Sequence, residues 1–184
     1  MKTIFSFIFL CLFLGQVPTV FAQKIISTSG TTTFLSDAPL ETISATNNEV
    51  KGIHDIGTKA FAYNVPIKSF DGFNSALQKQ HFNSRYLHSD RFPNATFTGK
   101  LIEEIDWNSQ APQTIRAKGS FTLNGIAHQR VILILVLLED DKMIVSSAFD
   151  VFLKDHEILI PKIVESNISK RVQVNMRAEY SRPK

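Results

Sequence analysis

The dominant hydrophobic period along this chain is two. In the last long segment, Val172, Val174, Met176, Ala178 and Tyr180 share one side, while Arg171, Gln173, Asn175, Arg177 and Glu179 share the other. That alternation describes a strand with one dry face and one wet face. Phe61, Tyr63, Val65 and Ile67 repeat it, with Pro66 limiting pairing near that strand's end. Gly119, Phe121 and Leu123 repeat it again. The pattern predicts eight strands, at Gly30–Ser36, Glu49–Asp55, Lys59–Ile67, Asn94–Ile105, Gln113–Leu123, Ile126–Leu138, Met143–Phe152 and Lys170–Ser181, with a short extra strand near Lys24–Ser27. Asn124-Gly125 is a two-residue hairpin signal, and Asp140-Asp141 separates the next two runs.

One segment breaks the period. Gly72 to Phe82 is rich in helix formers (Ala76, Leu77, Gln78, Lys79, Gln80), with Asn74 or Ser75 available as N-cap. It predicts one short helix ending near His81, where the imidazole meets the negative end of the helix dipole. Many antiparallel strands and few helices leave a sandwich or a closed barrel, and hairpin-linked neighbours favour the up-and-down barrel. A barrel of about eight strands is just wide enough to be filled by side chains or to hold one elongated ligand.

The first 22 residues stand apart. Lys2 precedes an apolar run, Ile4 to Leu14, and the stretch ends Val20-Phe21-Ala22. This reads as a secretory signal cleaved between Ala22 and Gln23, which places residues 23–184 outside the cytoplasm as one domain, periplasmic in a bacterium. Cys11, the one cysteine, falls inside that leader, so the exported chain must hold itself together without disulfides. The formal net charge of +3 is spread among acids with no run of like charges, so a nucleic-acid partner is not indicated. No later apolar run reaches the ~20 residues of a membrane-spanning helix, and no stable membrane insertion is expected.

Chemistry is sparse. The segment His81-Phe-Asn-Ser-Arg-Tyr-Leu-His88-Ser-Asp90 resembles a site at first sight, but no two histidines of the chain have i, i+4 spacing and no exported thiol remains. There is no Gly-x-Ser-x-Gly elbow and no Walker or Rossmann glycine pattern. Glu103 and Glu104, adjacent on a strand, should face opposite ways and cannot act as an acid/base pair. Asn94-Ala-Thr96 and Asn167-Ile-Ser169 match the glycosylation sequon, which matters only in a eukaryotic source. The expectation is therefore no enzyme, no catalytic residue, no cofactor and no metal site. What remains is the apolar strand faces. They either fill a core or line an apolar tube for a lipid. The positions expected to face that lumen are Phe34, Phe61, Tyr63, Val65, Phe97, Leu101, Phe121, Phe149, Val151, Val174 and Met176, with Tyr63 offering a hydroxyl to a polar end. The run Val131 to Leu138 is apolar on both faces, and a homodimer contact is expected to cover the outer one, through Val131, Leu133, Leu135 and Leu137 or the alternate set.

The order of several short motifs resembles the YceI-like family of bacterial secreted proteins. They are His81-Phe82 after the helix, Phe92-Pro93 before Phe97, the hairpin Gly119-Ser-Phe121-Thr122-Leu-Asn-Gly125-Ile126, Lys154-Asp155 with Ile158, Ile160-Pro161, and the alternating strand Arg171 to Tyr180. Asn47-Asn48-Glu-Val-Lys-Gly52 is similar to that family's first hairpin. The resemblance spans Gly30 to Tyr180 and departs from the usual pattern at His88 and at His128-Gln129-Arg130. It implies an all-β, lipocalin-like, extended eight-stranded antiparallel barrel with one short capping helix. It also implies a polyisoprenoid or other long-chain lipid in the lumen, with no catalytic residues. The rival readings are a side-chain-filled barrel acting as a structural or protein-interaction module, and a metal-dependent hydrolase using His81, His88 and Asp90.

Overall fold

The computed structural model describes residues 24–183; the leader read at residues 1–22 lies outside the described residues. Nine strands form one antiparallel sheet that closes on itself: β1 (Lys24–Asp37), β2 (Thr42–Asn47), β3 (Lys51–Asp55), β4 (Ala60–Pro66), β5 (Asn94–Leu101), β6 (Gln113–Leu123), β7 (Ile126–Leu138), β8 (Lys142–Phe152) and β9 (Arg171–Ser181). β2 and β3 lie in succession along one edge of β1, pairing with Thr32–Asp37 and with Lys24–Ile26 respectively. Together they make one stave, so the barrel has eight. The other edge of β1 pairs with β9 from Ser27↔Tyr180 to Leu35↔Gln173, which closes the ring.

The alternation explains the placement of the core. On β9, Val172, Ala178 and Tyr180 are buried and Arg171, Gln173, Asn175 and Arg177 are exposed. At the β6–β7 hairpin both Asn124 (φ 50°) and Gly125 (φ 76°) take the left-handed region that a two-residue turn requires. Two opposed, inward-facing glycines mark close approach. A Cβ at Gly99 would lie 2.1 Å from the Lys118 carbonyl oxygen, and one at Gly119 would lie 2.2 Å from that of Thr98. The pair Gly99↔Gly119 is directly opposed across β5 and β6, and only glycine allows the sheet to coil so tightly there.

Several boundaries differ from those the pattern predicts. The short Lys24–Ser27 strand and the Gly30–Ser36 strand are one element with a register shift between Ser27 and Ser29. β2 has no predicted counterpart; it turns Ile43, Ala45 and Asn47 inward. β5 stops at Leu101 rather than Ile105, because the Glu103 carboxylate accepts the Arg116 backbone N–H and guanidinium and pulls the chain out of the ladder. The helix, α1 (Ala76–His81), follows one of its two expected caps and ends at His81. Ser75 caps it by accepting the Gln78 N–H at 3.1 Å. Past His81 the chain continues into a π-helical turn, Phe82–Tyr86, ended by Leu87 donating to the Phe82 carbonyl.

The run Val131–Leu138 does not bury both faces. Ile132, Ile134, Val136 and Leu138 point inward and are buried, whereas Val131, Leu133 and Leu135 are 54%, 58% and 44% exposed on the outer wall. β7 pairs with β8 only over Ile134–Leu138. Beyond that the two strands part, and Arg130 spans the gap by donating to the Asp150 carbonyl at 2.7 Å above the rings of Phe121 and Phe149.

The glycine pair yields a test. Gly99→Ala should lower the unfolding free energy by about 2 kcal/mol or more, as overpacking against rigid backbone does. Urea denaturation of the variant checks this, with the solvent-facing neighbour Thr98→Ala, expected to change it by less than ~0.5 kcal/mol, as the comparison.

Candidate functional site: an apolar cavity with a cap and a polar floor

The inward side chains do not fill the barrel. A cavity of about 510 Å³ lies between two packed regions. Beneath it, Val136, Leu138, Met143, Val145 and Tyr180 plug one end of the barrel. Above it, Ala45, Ile67, Phe70, Leu87, Ala95 and Ile158 pack under the cap. The side chains expected to face a lumen all line this cavity: Phe34 from β1; Phe61, Tyr63 and Val65 from β4; Phe97 and Leu101 from β5; Phe121 from β6; Phe149 and Val151 from β8; and Val174 and Met176 from β9. The strand alternation brings them together, because residues i and i+2 share a face.

The cap depends on aromatic rings that the period-two pattern does not reveal. α1 has no fully buried residue of its own. It is held by the rings that flank it, Phe73 before and Phe82 after. Phe82 stacks on Phe34 with centroids 5.4 Å apart and planes at 9°, and meets Phe70 at 5.6 Å and Phe73 at 5.0 Å. Such ring pairs each add about 0.5–1.5 kcal/mol beyond burial. At the rim the Glu41 carboxylate accepts hydrogen bonds from Asn74 and Gln78 at the helix and from Asn167 on the segment before β9. The Asn74 bond leads these in holding the Glu41 carboxyl below its ordinary range. The helix side chains Ser75, Leu77, Gln78 and His81 also line the cavity.

The floor is polar. His54 on β3 and Tyr63 on β4 line it, with His54 Nε2 2.7 Å from the Tyr63 hydroxyl. Tyr180 lies behind them, edge-on to His54 at 5.1 Å. Burial pushes the His54 imidazole down to about 4, so the ring is neutral near pH 7. Burial likewise raises both phenols, and Tyr63 is raised further by Tyr180. The Tyr180 hydroxyl influences Tyr63 at short range, yet it is wholly buried and makes no well-formed hydrogen bond among the described residues. Gly52 leaves the room for this trio: a Cβ there would stand 2.1 Å from the Tyr180 oxygen and 2.6 Å from a Tyr63 ring carbon.

The His81–Asp90 segment separates into unrelated parts. His81 borders the cavity. His88 is exposed with φ 44° and its Nδ1 sits 3.1 Å from the Ser84 carbonyl. Asp90 is held by Lys68, whose hydrogen bond keeps the carboxyl below its usual range. Among the described residues no three His, Cys, Asp or Glu side chains gather as a metal would require. Glu103 and Glu104 pair separately with Arg116 and Lys59.

A closed antiparallel barrel enclosing a capped apolar cavity defines the class of small-ligand binding barrels. A family model described as the YceI-like domain matches residues 24–180, and the chain belongs to that family. A polyisoprenoid binding domain from Saccharophagus degradans, implicated in plant cell wall breakdown, is similar in structure, with TM-score 0.72 and 12% identity over 88% of this chain and 99% of that one. Burkholderia cenocepacia BcnA superposes with TM-score 0.67 and 11% identity, covering 82% of this chain and 95% of its own. A Campylobacter jejuni YCEI protein gives TM-score 0.54 and 18% identity, covering 71% and 78%. No curated protein matches by sequence. At these identities the structural neighbours establish the fold. Among the described residues no helix is long and apolar enough to cross a membrane.

The buried imidazole predicts a pH response. Its pKa falls from 6.5 to about 4 on folding, so between those values the unfolded chain binds the extra proton. Stability due to this group is therefore full above pH 6.5 and declines as the pH drops to about 4, by about 3 kcal/mol in total. Burial also lowers His156, which acts in the same direction. Melting curves from pH 7 to 4 should show this loss, and His54→Leu should remove most of it.

Proposed function

We propose that the protein sequesters or carries one elongated apolar lipid, a polyisoprenoid or fatty-acyl chain, in the barrel lumen after export from the cytoplasm. The observation that carries the reading is the capped cavity of about 510 Å³, walled by aromatic and aliphatic side chains from all around the barrel. Its size falls in the range of small-molecule sites, ~300–1,000 Å³. Affinity would come from burying methylenes, each worth about 0.8 kcal/mol before ordering costs. The eleven wall positions from Phe34 to Met176 are the proposed lipid contacts. Membership of the YceI-like family supports a binding role over a catalytic one, and the polyisoprenoid binding domain of the Saccharophagus structure supports the ligand class. The proposed periplasmic location rests on the leader at residues 1–22 and its cleavage after Ala22.

The outward stripe Val131, Leu133 and Leu135 supports a homodimer as the working form. A second copy would cover the apolar wall that this chain leaves bare.

Purified protein extracted with organic solvent should release a long aliphatic chain detectable by mass spectrometry. The stripped protein should take up a polyprenyl or fatty-acyl chain one to one. Val174→Trp, which narrows the cavity from β9, should cut that uptake more than tenfold while the melting temperature stays within a few degrees. Absence of any lipid together with no uptake would overturn the reading. Light scattering at micromolar concentration should give twice the chain mass, and Leu133→Glu should halve it; a monomeric wild type would refute the dimer.

A further inference from the structure

We propose that the floor of the cavity is a recognition site for an uncharged, oxygen-bearing end of the lipid, so that the ligand lies polar end inward and its apolar tail runs toward the cap. This rests on the lipid reading above. His54 and Tyr63 would touch the ligand's oxygen, and Tyr180 would position them from behind.

The argument begins with what surrounds the trio. The core beneath and beside it is apolar: Val50, Phe61, Leu101, Ala178 and Val145. Phenylalanines would seal such a floor at no hydrogen-bonding cost. Instead an imidazole and a phenol face the cavity 2.7 Å apart, with a second phenol sealed behind them and lacking a well-formed partner. Gly52 is the only residue type that leaves space for both tyrosines.

Donor accounting gives the chemistry of the missing partner. A neutral imidazole and two phenols each carry one donor hydrogen. The link between His54 and Tyr63 uses one of them, and the neighbouring phenols could share at most one more. With either tautomer of His54, one donor is left over. If Tyr63 donates to Nε2, the leftover donor is Nδ1–H; if Nε2–H donates to Tyr63, it is a phenolic hydrogen. A buried donor without an acceptor costs about 1–3 kcal/mol. Where that donor is on His54 or Tyr63, the two that line the cavity, a carbonyl, ether or alcohol oxygen at the end of a lipid would meet it.

Charge decides between an uncharged oxygen and an anion. Among the described residues lining the cavity there is no lysine or arginine, and Glu41 at the rim is an acid. A phosphate or carboxylate at the floor would therefore be buried without a counter-ion, which is far more costly than burying a neutral oxygen. The same floor that rewards an alcohol or ketone disfavours an anionic headgroup.

The test uses the full exported chain, stripped of lipid, and three probes with the same C20 isoprenoid tail. One ends in an alcohol, one in a phosphate and one is the parent hydrocarbon. Competition against a fluorescent fatty-acyl reporter should rank the alcohol about tenfold tighter than the hydrocarbon, with the phosphate weakest. Tyr63→Phe and Tyr180→Phe should each shrink the alcohol's advantage over the hydrocarbon several-fold, with the melting temperature reporting that the fold is intact. A methyl-ketone-ended chain gives a second readout: its carbonyl stretch should move to lower wavenumber in the complex and return toward the free value in Tyr63→Phe. If a variant fails to fold, the wild-type ranking and the ketone band still decide. Equal binding of alcohol and hydrocarbon, tightest binding of the phosphate, or an unshifted ketone band would overturn the polar floor while leaving the lipid reading in place. No binding of any of the three tails would overturn both.

Discussion

The structure depends on the double pairing of one long strand. β1 runs for 14 residues, and its Thr32–Leu35 segment is hydrogen-bonded on both edges, to β2 and to β9. Without the β9 ladder the sheet would have two open edges and its apolar face would meet water. With it, every inward residue faces another across a closed lumen, and the described residues, which include no cysteine, need no cross-link. The closure joins residues about 150 positions apart, as in the bond from the Thr28 hydroxyl to the Glu179 carbonyl. That long-range pairing makes the barrel a slow-folding topology that is complete only when its last strand docks.

A closed barrel of eight staves need not be hollow. Here the residues below the floor are large and fully buried, Met143, Leu138 and Tyr180 among them, and they fill one half. In the upper half β7 and β8 part company, and the top is closed by a lid of phenylalanines. The cavity is thus bounded by three different materials: a hydrocarbon plug with a polar surface, an aliphatic and aromatic wall, and a cap held by stacked rings. Each sets a different property of what could fit, namely length, girth and the nature of the end group.

Much of this was legible in the sequence because alternation fixes a side chain's face once the strand is known. Phe97 and Leu101, or Val174 and Met176, share the cavity wall for that reason alone. Asn124-Gly125 specified its turn through the backbone freedom of those two residue types. Features set by tertiary context were not legible. β2 has only Ile43 as a large apolar residue, and its inward Asn47 looks like a loop residue until its amide is seen donating to the Pro66 carbonyl at 2.6 Å. The cap rings Phe70, Phe73 and Phe82 follow no period, since they come from turns around a helix rather than from one face. Their density beside a helix with few apolar residues was the available signal. His54 looked ordinary because Tyr63 reaches it across the β3–β4 hairpin and Tyr180 only once β9 closes the barrel. The β7 run reads as apolar on both faces, and the chain alone buries one of them and leaves Val131, Leu133 and Leu135 exposed on the other.

The rim contact at Glu41 has a consequence for how the mouth would move. One carboxylate accepts amides from the loop before α1, from α1 itself and from the segment preceding β9. While any one of these bonds holds, the other two partners stay at a high effective concentration and re-form quickly. Piecemeal fraying is therefore self-correcting. The three segments are thus tied through one side chain on the β1–β2 turn, alongside the Asn74–Thr42 and Leu40–Ser166 bonds that hold the same parts together.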